Sequence, residues 1–563
     1  MVAGYRVPTD DMTFVLRHVL PGEGDAAWPV DADLLEEILG QAGRFAVERL
    51  LPLSQAGDRE GTRHADGQVR TPAGFAGAYR DWAAGGWIGV NTPQQWGGSA
   101  LPAMMTAPLD EVWNSANMAF YLCPILTQAA IKLLLAAGTE AQKAEYIPAL
   151  ASGRWTAAMG LTEPGAGSDL ALVTSEALAV GDGSYRIVGE KIFTSYGEHE
   201  WSENILNLVL ARIRGAGSLS LFVVPRFLRS GAANDVVCTG VEHKLGLRAS
   251  PTCTMRYGGA GGATGYLLGK ENAGLAAMFV MMNEARIACS LQAVGLCERA
   301  LQQSRTYAAA RRQGRDRHGA TVALQEHPDV QRMLLRMAGL TLASRALAYA
   351  TVAEIAAETD RTSVSAGALL TPLAKVFTSE AACEVAHLNI QVHGGIGYVE
   401  ESGAGQLLRD ACAIPIYEGT NGIQAIDFLN RKVLADKGET LAEMSAMARR
   451  TASRLARLER LEGLSHRIDE GADALEAAAG WLLQADRPAG ARLAAATPFT
   501  RLAGTLVAGA LLGRGIAHAA ETGDPAGSAQ IPAAVHYGHA ILTQCHGHAA
   551  EVTSAAGLVT SHG

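Results

Sequence analysis

The chain has 563 residues, of which 48% are apolar and 18% charged, and it carries a net charge of −9 at pH 7. Roughly three to four domains fit such a length, and wholesale disorder is excluded by the apolar content. The acidic balance gives no sign of a polyanion partner, so nucleic acid binding is not expected without a local basic patch.

Residues 1–155 read as a helical domain. In "DADLLEEILGQAGRFAVERLL", Leu34, Leu35, Ile38, Leu39, Ala42, Phe45, Ala46 and Leu50 fall on one broad face, with Asp31 or Asp33 as the start signal. Asp10 and Asp11 stand where a signal peptide would need an apolar run, so a cytoplasmic protein is expected. "GWIGVNTPQQWGGSALP" reads as a loop.

Residues 156–270 change character. "SYRIVGEKIF", "NILNLVLARI", "SLSLFVVPRF" and "TCTMRY" are short β-like runs between turns, and they predict an antiparallel β domain. Residues 271–437 return to helical patterning, opening on one very long helix candidate that ends near Arg311, Arg312, Arg315 and Arg317. A long helix rich in alanine and acids follows.

Residues 438–563 predict an all-helical appendage of about four helices, split at "ADRPAG" and "ETGDPAGSAQIP". Leu441, Met444, Ala448, Thr451, Leu455 and Leu458 form a seam with helical spacing. No stretch of 18 apolar residues lacks a charge, so no membrane span is expected. The eight cysteines include no C-x-x-C pair, which points to buried thiols rather than zinc or disulfides. "CHGH" (545–548) is too crowded for a metal site, and no metal is expected.

Five stretches suggest chemistry. "LTEPGAGSD" sets Thr162, Ser168 and Asp169 around Gly165 and Gly167. Hydroxyls and free amides suit a phosphate-bearing ligand, although an ordinary polar loop looks the same. "GEKIFTS" places Phe193 beside Thr194 and Ser195, either to receive a flat ring or as a half-buried strand residue. The arginines at 311–317 suit a pyrophosphate or a solvated helix end. "QVHGGIG" lacks the strand and helix of a dinucleotide fingerprint, so Gly394 and Gly395 read as close-approach points. "CAIPIYEGTNGIQ" holds one acid, Glu418, before a Gly-Thr-Asn-Gly turn.

In their order and spacing, these five stretches resemble the acyl-CoA dehydrogenase family over about residues 35–435. The resemblance is nearer to its longer members with an extra C-terminal helical domain. It implies a helical N-domain, an antiparallel β-barrel middle domain, a four-helix bundle and the appended helices. It also implies non-covalent FAD and an acyl-CoA thioester substrate.

Roles follow by position. Glu418 matches the base that removes the α-proton while a hydride leaves the β-carbon for the flavin, giving a trans-2-enoyl-CoA. The Glu418 N–H and a flavin ribityl hydroxyl would polarise the thioester carbonyl, and water expulsion would raise the affinity of Glu418 for its proton. Thr162, Ser168, Phe193, Ser195, Arg311, Gln391, Gly394, Gly395 and Thr420 match FAD contacts, and Phe193 stands where a Trp is frequent. Ser168, Arg286, Glu418 and Gly419 match the acyl-CoA side. Arg311 and Gln391 would reach the FAD of a neighbouring subunit, which implies a homo-oligomer, most simply a dimer.

Two features depart from the family pattern. Some relatives carry the base on the long helix, where this chain has Ala285, with Glu284 one residue earlier as a weaker candidate. Gln313-Gly314 replaces a common Phe-Gly. The resemblance implies an electron-transfer flavoprotein as acceptor. The alternatives are an oxidase using O₂ and a DNA-associated flavoprotein of the same fold, whose basic face would be Arg449, Arg450, Arg454, Arg457 and Arg460.

Overall fold

The computed structural model describes residues 4–21, 31–357 and 366–559. The part of the acid- and alanine-rich stretch at 358–365 lies outside the described residues. Two compact units are present: one gathers residues 1–44, 103–115 and 289–563, the other 45–102 and 116–288.

The helices before the sheet are α1 (Thr9–Phe14), α2 (Ala32–Phe45), α3 (Leu51–Glu60), α4 (Phe75–Ala84), α5 (Ala103–Ala137) and α6 (Glu140–Ala151). A small hairpin, β1 (Arg63–Ala65) and β2 (Gln68–Arg70), separates α3 from α4. Asp31 starts α2, its carboxylate accepting from the N–H of Asp33 at 3.0 Å and of Leu34 at 3.1 Å. Leu35, Leu39 and Ala42 are buried on that helix, but Leu34 is exposed, so the apolar face is narrower than its sequence suggests. Within α5, Asn117 has φ −160° and ψ 86°, which breaks the helix beside the boundary between the units at Ser115 and Ala116.

Besides that hairpin, the strands of the second unit are β3 (Trp155–Gly160), β4 (Glu176–Ala179), β5 (Ser184–Ser195), β6 (Asn204–Ile213), β7 (Leu219–Pro225), β8 (Val236–Val241), β9 (Thr252–Tyr257) and β10 (Ala263–Leu268). They form one eight-stranded sheet in which seven run in the order β10-β7-β6-β4-β5-β9-β8, β3 pairs with β6 off this path, and β10 also pairs with β5. That extra pairing closes β5, β4, β6, β7 and β10 into a barrel, with β9 and β8 continuing from β5. The expectation of a purely antiparallel sheet needs correction, because β6 runs parallel to both β3 and β4. The chain passes through other strands before reaching β6, so it has the length a parallel return requires. Ile187, Val209, Phe222, Val224 and Tyr257 fill the interior. The strands β6 and β7 are buried almost throughout, which explains their unbroken apolar runs.

The remaining elements begin with α7 (Gly274–Ala310), the hairpin β11 (Arg312–Arg315) and β12 (Thr321–Ala323), α8 (Pro328–Ala357) and α9 (Ala366–His393). Two short helices follow, α10 (Ala404–Ala411) and α11 (Asn421–Asp427). The arginines at 312–315 therefore sit in a hairpin and not at the helix end. In the first unit, Arg345 of α8 is fully buried between Glu111 and Glu298, with Nη2–O distances of 2.7 and 2.6 Å, and Tyr349 donates to Glu111 at 2.7 Å.

The appended segment contains α12 (Glu439–Leu455), α13 (Glu462–Leu482), α14 (Ala489–Thr522), α15 (Ala526–Tyr537) and α16 (Gln544–Val559), five described helices against about four expected. Leu441, Met444, Ala448, Thr451 and Leu455 are buried as the seam requires, whereas Leu458 lies past the helix end. Pro532 sits inside α15, so the second Gly/Pro-rich stretch is only partly a break.

The expectation that no segment could span a membrane is too strict. By length and composition alone α5, α7 and α14 qualify, and their most apolar windows are 83%, 50% and 89% buried inside the protein.

Candidate functional site

The candidate residues fall into two sets, one in each unit. Thr162, Ser168, Phe193, Ser195 and Arg286 belong to the second unit; Arg311, Gln391, Gly394, Gly395, Glu418, Gly419 and Thr420 belong to the first.

In the second unit, Glu163-Pro164-Gly165-Ala166 makes a tight reversal, with reciprocal N–H···O bonds of 3.0 Å between Glu163 and Ala166. Gly165 and Gly167 face open space, and Ser168 is exposed. The Ile192 N–H donates to Thr162 O at 2.8 Å, tying this loop to the end of β5. A buried ion pair reinforces the tie: Lys191 Nζ lies 2.8 Å from Glu163 Oε1, with the two side chains 0% and 4% exposed. Glu163 also accepts from the N–H and hydroxyl of both Thr174 and Ser175. Burial alone would push its carboxyl up, but the bonds from Lys191, Ser175 and Thr174 prevail and hold it at about 2.

Just past Lys191 the register of β5 against β9 shifts, between Lys191 and Thr194. This bulge puts Phe193 in the left-handed region at φ +57° and leaves the residue 59% exposed. A large aromatic held there costs on the order of 1–3 kcal/mol, and strain of that kind clusters at functional sites. Ser195, half-buried, rejoins the ladder opposite Thr252. Arg286 of α7 is buried, bonds Asn283 at 3.2 Å and lies 5.8 Å from the Phe279 ring centre. Glu284 is engaged in an ion pair with Lys132, which disfavours it as the base.

In the first unit, Glu418 at φ +54° is followed by Gly419 at φ +83°, so two successive residues are left-handed. Glu418 is half-buried. The anticipated Gly-Thr-Asn-Gly turn lies differently: Thr420 caps α11, accepting the Ile423 N–H at 3.2 Å, and Asn421 and Gly422 are already helical. The reversal is Pro415 to Thr420, closed by Asn421 N–H to Pro415 O at 2.9 Å.

Both ends of this loop are anchored. Tyr417 Oη donates to Gln292 Oε1 of α7 at 2.5 Å. Asn421 Oδ1 accepts from Lys375 Nζ at 2.9 Å and from the Ser379 hydroxyl at 3.2 Å, both on α9.

The C-terminal ends of α7 and α9 lie side by side. The Tyr307 and His393 rings stack at 4.3 Å, and the Asn389 amide bonds Gln303 at 2.8 Å. Arg311 is thus one helical turn beyond Tyr307, exposed, with a 2.9 Å bond to Gln313. Gln391, Gly394 and Gly395 are exposed at the end of α9. Ile396, Tyr398 and Val399, next along, are exposed apolar side chains.

Sequence reasoning missed Glu163, Lys191, Gln292, Lys375, Ser379 and Glu380. The visible clue was polarity out of place, a lysine inside a strand and a glutamine and a lysine inside apolar helices. Two of the five arginines of the candidate basic face are engaged in ion pairs, Arg449 with Asp473 and Glu476 and Arg454 with Glu521.

Four family models match in chain order. They are the acyl-CoA dehydrogenase N-terminal domain at 33–154, middle domain at 158–259 and C-terminal domain at 272–434, and an acetyl-CoA dehydrogenase C-terminal-like domain at 440–561. A 3-methylmercaptopropionyl-CoA dehydrogenase of Ruegeria pomeroyi is 41% identical over 98% of both chains. A broad-specificity linear acyl-CoA dehydrogenase of Mycobacterium tuberculosis is 33% identical over 78% of this chain and 77% of that one. Among solved structures, a Bacillus anthracis acyl-CoA dehydrogenase complexed with FAD covers 97% of this chain and 90% of its own, with TM-score 0.75 at 23% identity, which speaks to the fold. The strained, exposed Phe193 ring and the open glycine loops suit a flavin and its phosphates. This FAD-binding protein, an oxidoreductase, belongs to the acyl-CoA dehydrogenase family.

Proposed function

We propose that the protein oxidises an acyl-CoA at its α,β-bond, with Glu418 as the base that takes the α-proton. The observation that carries this reading is the Pro415–Thr420 reversal. It holds a single carboxylate on a left-handed residue, with anchors on either side. A base must be within hydrogen-bond reach of its proton and held there, and a loop tied at Tyr417 and Asn421 meets the second condition. The backbone N–H of Glu418 is the chain's own donor toward the thioester oxygen, where charge builds as the α-proton leaves. Bound FAD supplies the acceptor for the hydride and its two electrons. Phe193 would pack on the flavin ring, with the hydroxyls of Thr162, Ser168 and Ser195 around it.

Arg311, Gln391, Gly394 and Gly395 would serve the FAD of a second copy. The exposed Ile396, Tyr398 and Val399 beside them support a homodimer, since exposed apolar clusters mark interfaces. An electron-transfer flavoprotein is the proposed acceptor, and the named activities of the relatives favour a short linear acyl group, including one with a 3-thioether. The test is anaerobic mixing of the purified yellow protein with a panel of acyl-CoAs. Bleaching by short linear thioesters supports the reading, and no bleaching by any member contradicts it. Fast peroxide formation under air would move the assignment to an oxidase.

A further inference from the structure

The appended helical domain reaches the loop that carries Glu418. Arg501 of α14 grips Glu380 of α9 through both carboxylate oxygens, Nε to Oε2 at 2.9 Å and Nη2 to Oε1 at 3.0 Å. Glu380 Oε1 in turn faces the side-chain amide of Asn421 at 3.4 Å. Asn421 is the residue whose backbone closes the base loop on Pro415. An unbroken polar chain thus runs from α14 through α9 to a position three residues from Glu418.

Apolar contacts follow the same path. Phe499 of α14 stacks on Phe428, just past α11, at 5.8 Å, and both rings are fully buried. Gly504 of α14 admits α9 closely, since a Cβ there would stand 3.2 Å from that of Phe377. The two elements that frame the base loop, α9 and α11, therefore both pack against α14.

We propose that Arg501, through Glu380 and Asn421, is a positioning residue for Glu418, and that the appended domain buttresses the base loop. The proposal rests on Glu418 being the base. A bidentate arginine fixes carboxylate orientation as a lysine cannot. Glu380 needs that orientation to present Oε1 to Asn421 while both of its oxygens stay on the guanidinium. Glu418 has a left-handed backbone, so its carboxylate direction follows the geometry of residues 415–421. A loop held less firmly at Asn421, by Lys375 and Ser379 without the oriented Glu380, presents the carboxylate in more directions, and small misplacements of a reacting group are costly in rate. Affinity for CoA should change little, because none of the three residues is placed on the ligand.

The test compares Arg501→Ala, Arg501→Lys and Glu418→Gln in the FAD-loaded enzyme. The first readout is solvent deuterium exchange at the α-carbon of a 3-thia-acyl-CoA, which has no β-hydride to lose and so reports proton abstraction alone. The second is the split between kcat and KM per bound flavin on an oxidisable acyl-CoA.

The expected result is a loss of about fivefold to tenfold in exchange and in kcat for Arg501→Ala, with KM and FAD content unchanged and partial recovery in Arg501→Lys. Exchange within twofold of the parent in Arg501→Ala overturns the proposal, as does a fall in melting temperature or FAD content with kcat per flavin unchanged. Glu418→Gln tells the two failures apart. If it abolishes exchange while Arg501→Ala does not, only the positioning role fails; if it leaves exchange intact, the base assignment fails and the proposal falls with it.

Discussion

Phe193 and Glu418 are both non-glycine residues forced into left-handed backbone, yet the protein restrains them by different means. A bulge displays Phe193, and the neighbouring loop is tethered by one buried ion pair, Glu163–Lys191. The Glu418 loop is tethered directly by Tyr417 to Gln292 and by Asn421 to Ser379 and Lys375, with the Glu380–Arg501 pair behind Asn421. The difference matches the tasks proposed for the two residues. A face for a flat ring can stand beside a charge pair without conflict. A carboxylate that must take and release a proton is better served by anchors that do not titrate near neutrality. The first tether should therefore respond to charge and acid, the second to the loss of single hydrogen bonds.

The largest effect should come from breaking the ion pair. Lys191→Met leaves a carboxylate buried without its cation and should lower stability by about 3–5 kcal/mol, read as a shift in the urea midpoint, with FAD lost in parallel. A loss below about 1 kcal/mol would show that the tether carries little of the load.

Acid should act on the same site. The Glu163 carboxyl is held at about 2, below the ordinary 4.5, so its contribution is complete above the ordinary value. It should fade as pH falls from 4.5 toward 2, because the unfolded chain takes up the proton first. Chemical denaturation across that range should show the decline in the parent and a flatter profile in Glu163→Gln.

Tyr417→Phe is smaller. It removes the donor to the buried Gln292 and should cost about 1–3 kcal/mol, with kcat falling more than KM rises. The smallest change belongs to Phe193→Gly. Relieving left-handed strain should raise the stability of the FAD-free protein by about 1 kcal/mol while weakening its hold on FAD, seen by calorimetry with and without cofactor.

Much of this architecture could be read from the chain. Helical and β-like stretches alternate with clear periodicity, and the five motifs lie in an order that few folds share. What escaped was of three kinds. Parallel pairing of β6 depends on where distant strands return, which local pattern does not encode. The start of α11 at Asn421 was hidden because Gly419 and Gly422 mimic a turn, while Thr420 is in fact a helix cap. The residues that hold the site, Lys191, Gln292, Lys375 and Glu380, gain their meaning only from partners far away in sequence. Arg501 lies 121 positions from Glu380, and no spacing rule connects them.

The most direct test of the account is the anaerobic bleaching rate of Glu418→Gln with its FAD in place. Without a base the rate should fall by about 10²–10⁴-fold with a good acyl-CoA, the ligand still bound. A variant that keeps its yellow colour before substrate and then bleaches as fast as the parent would contradict it.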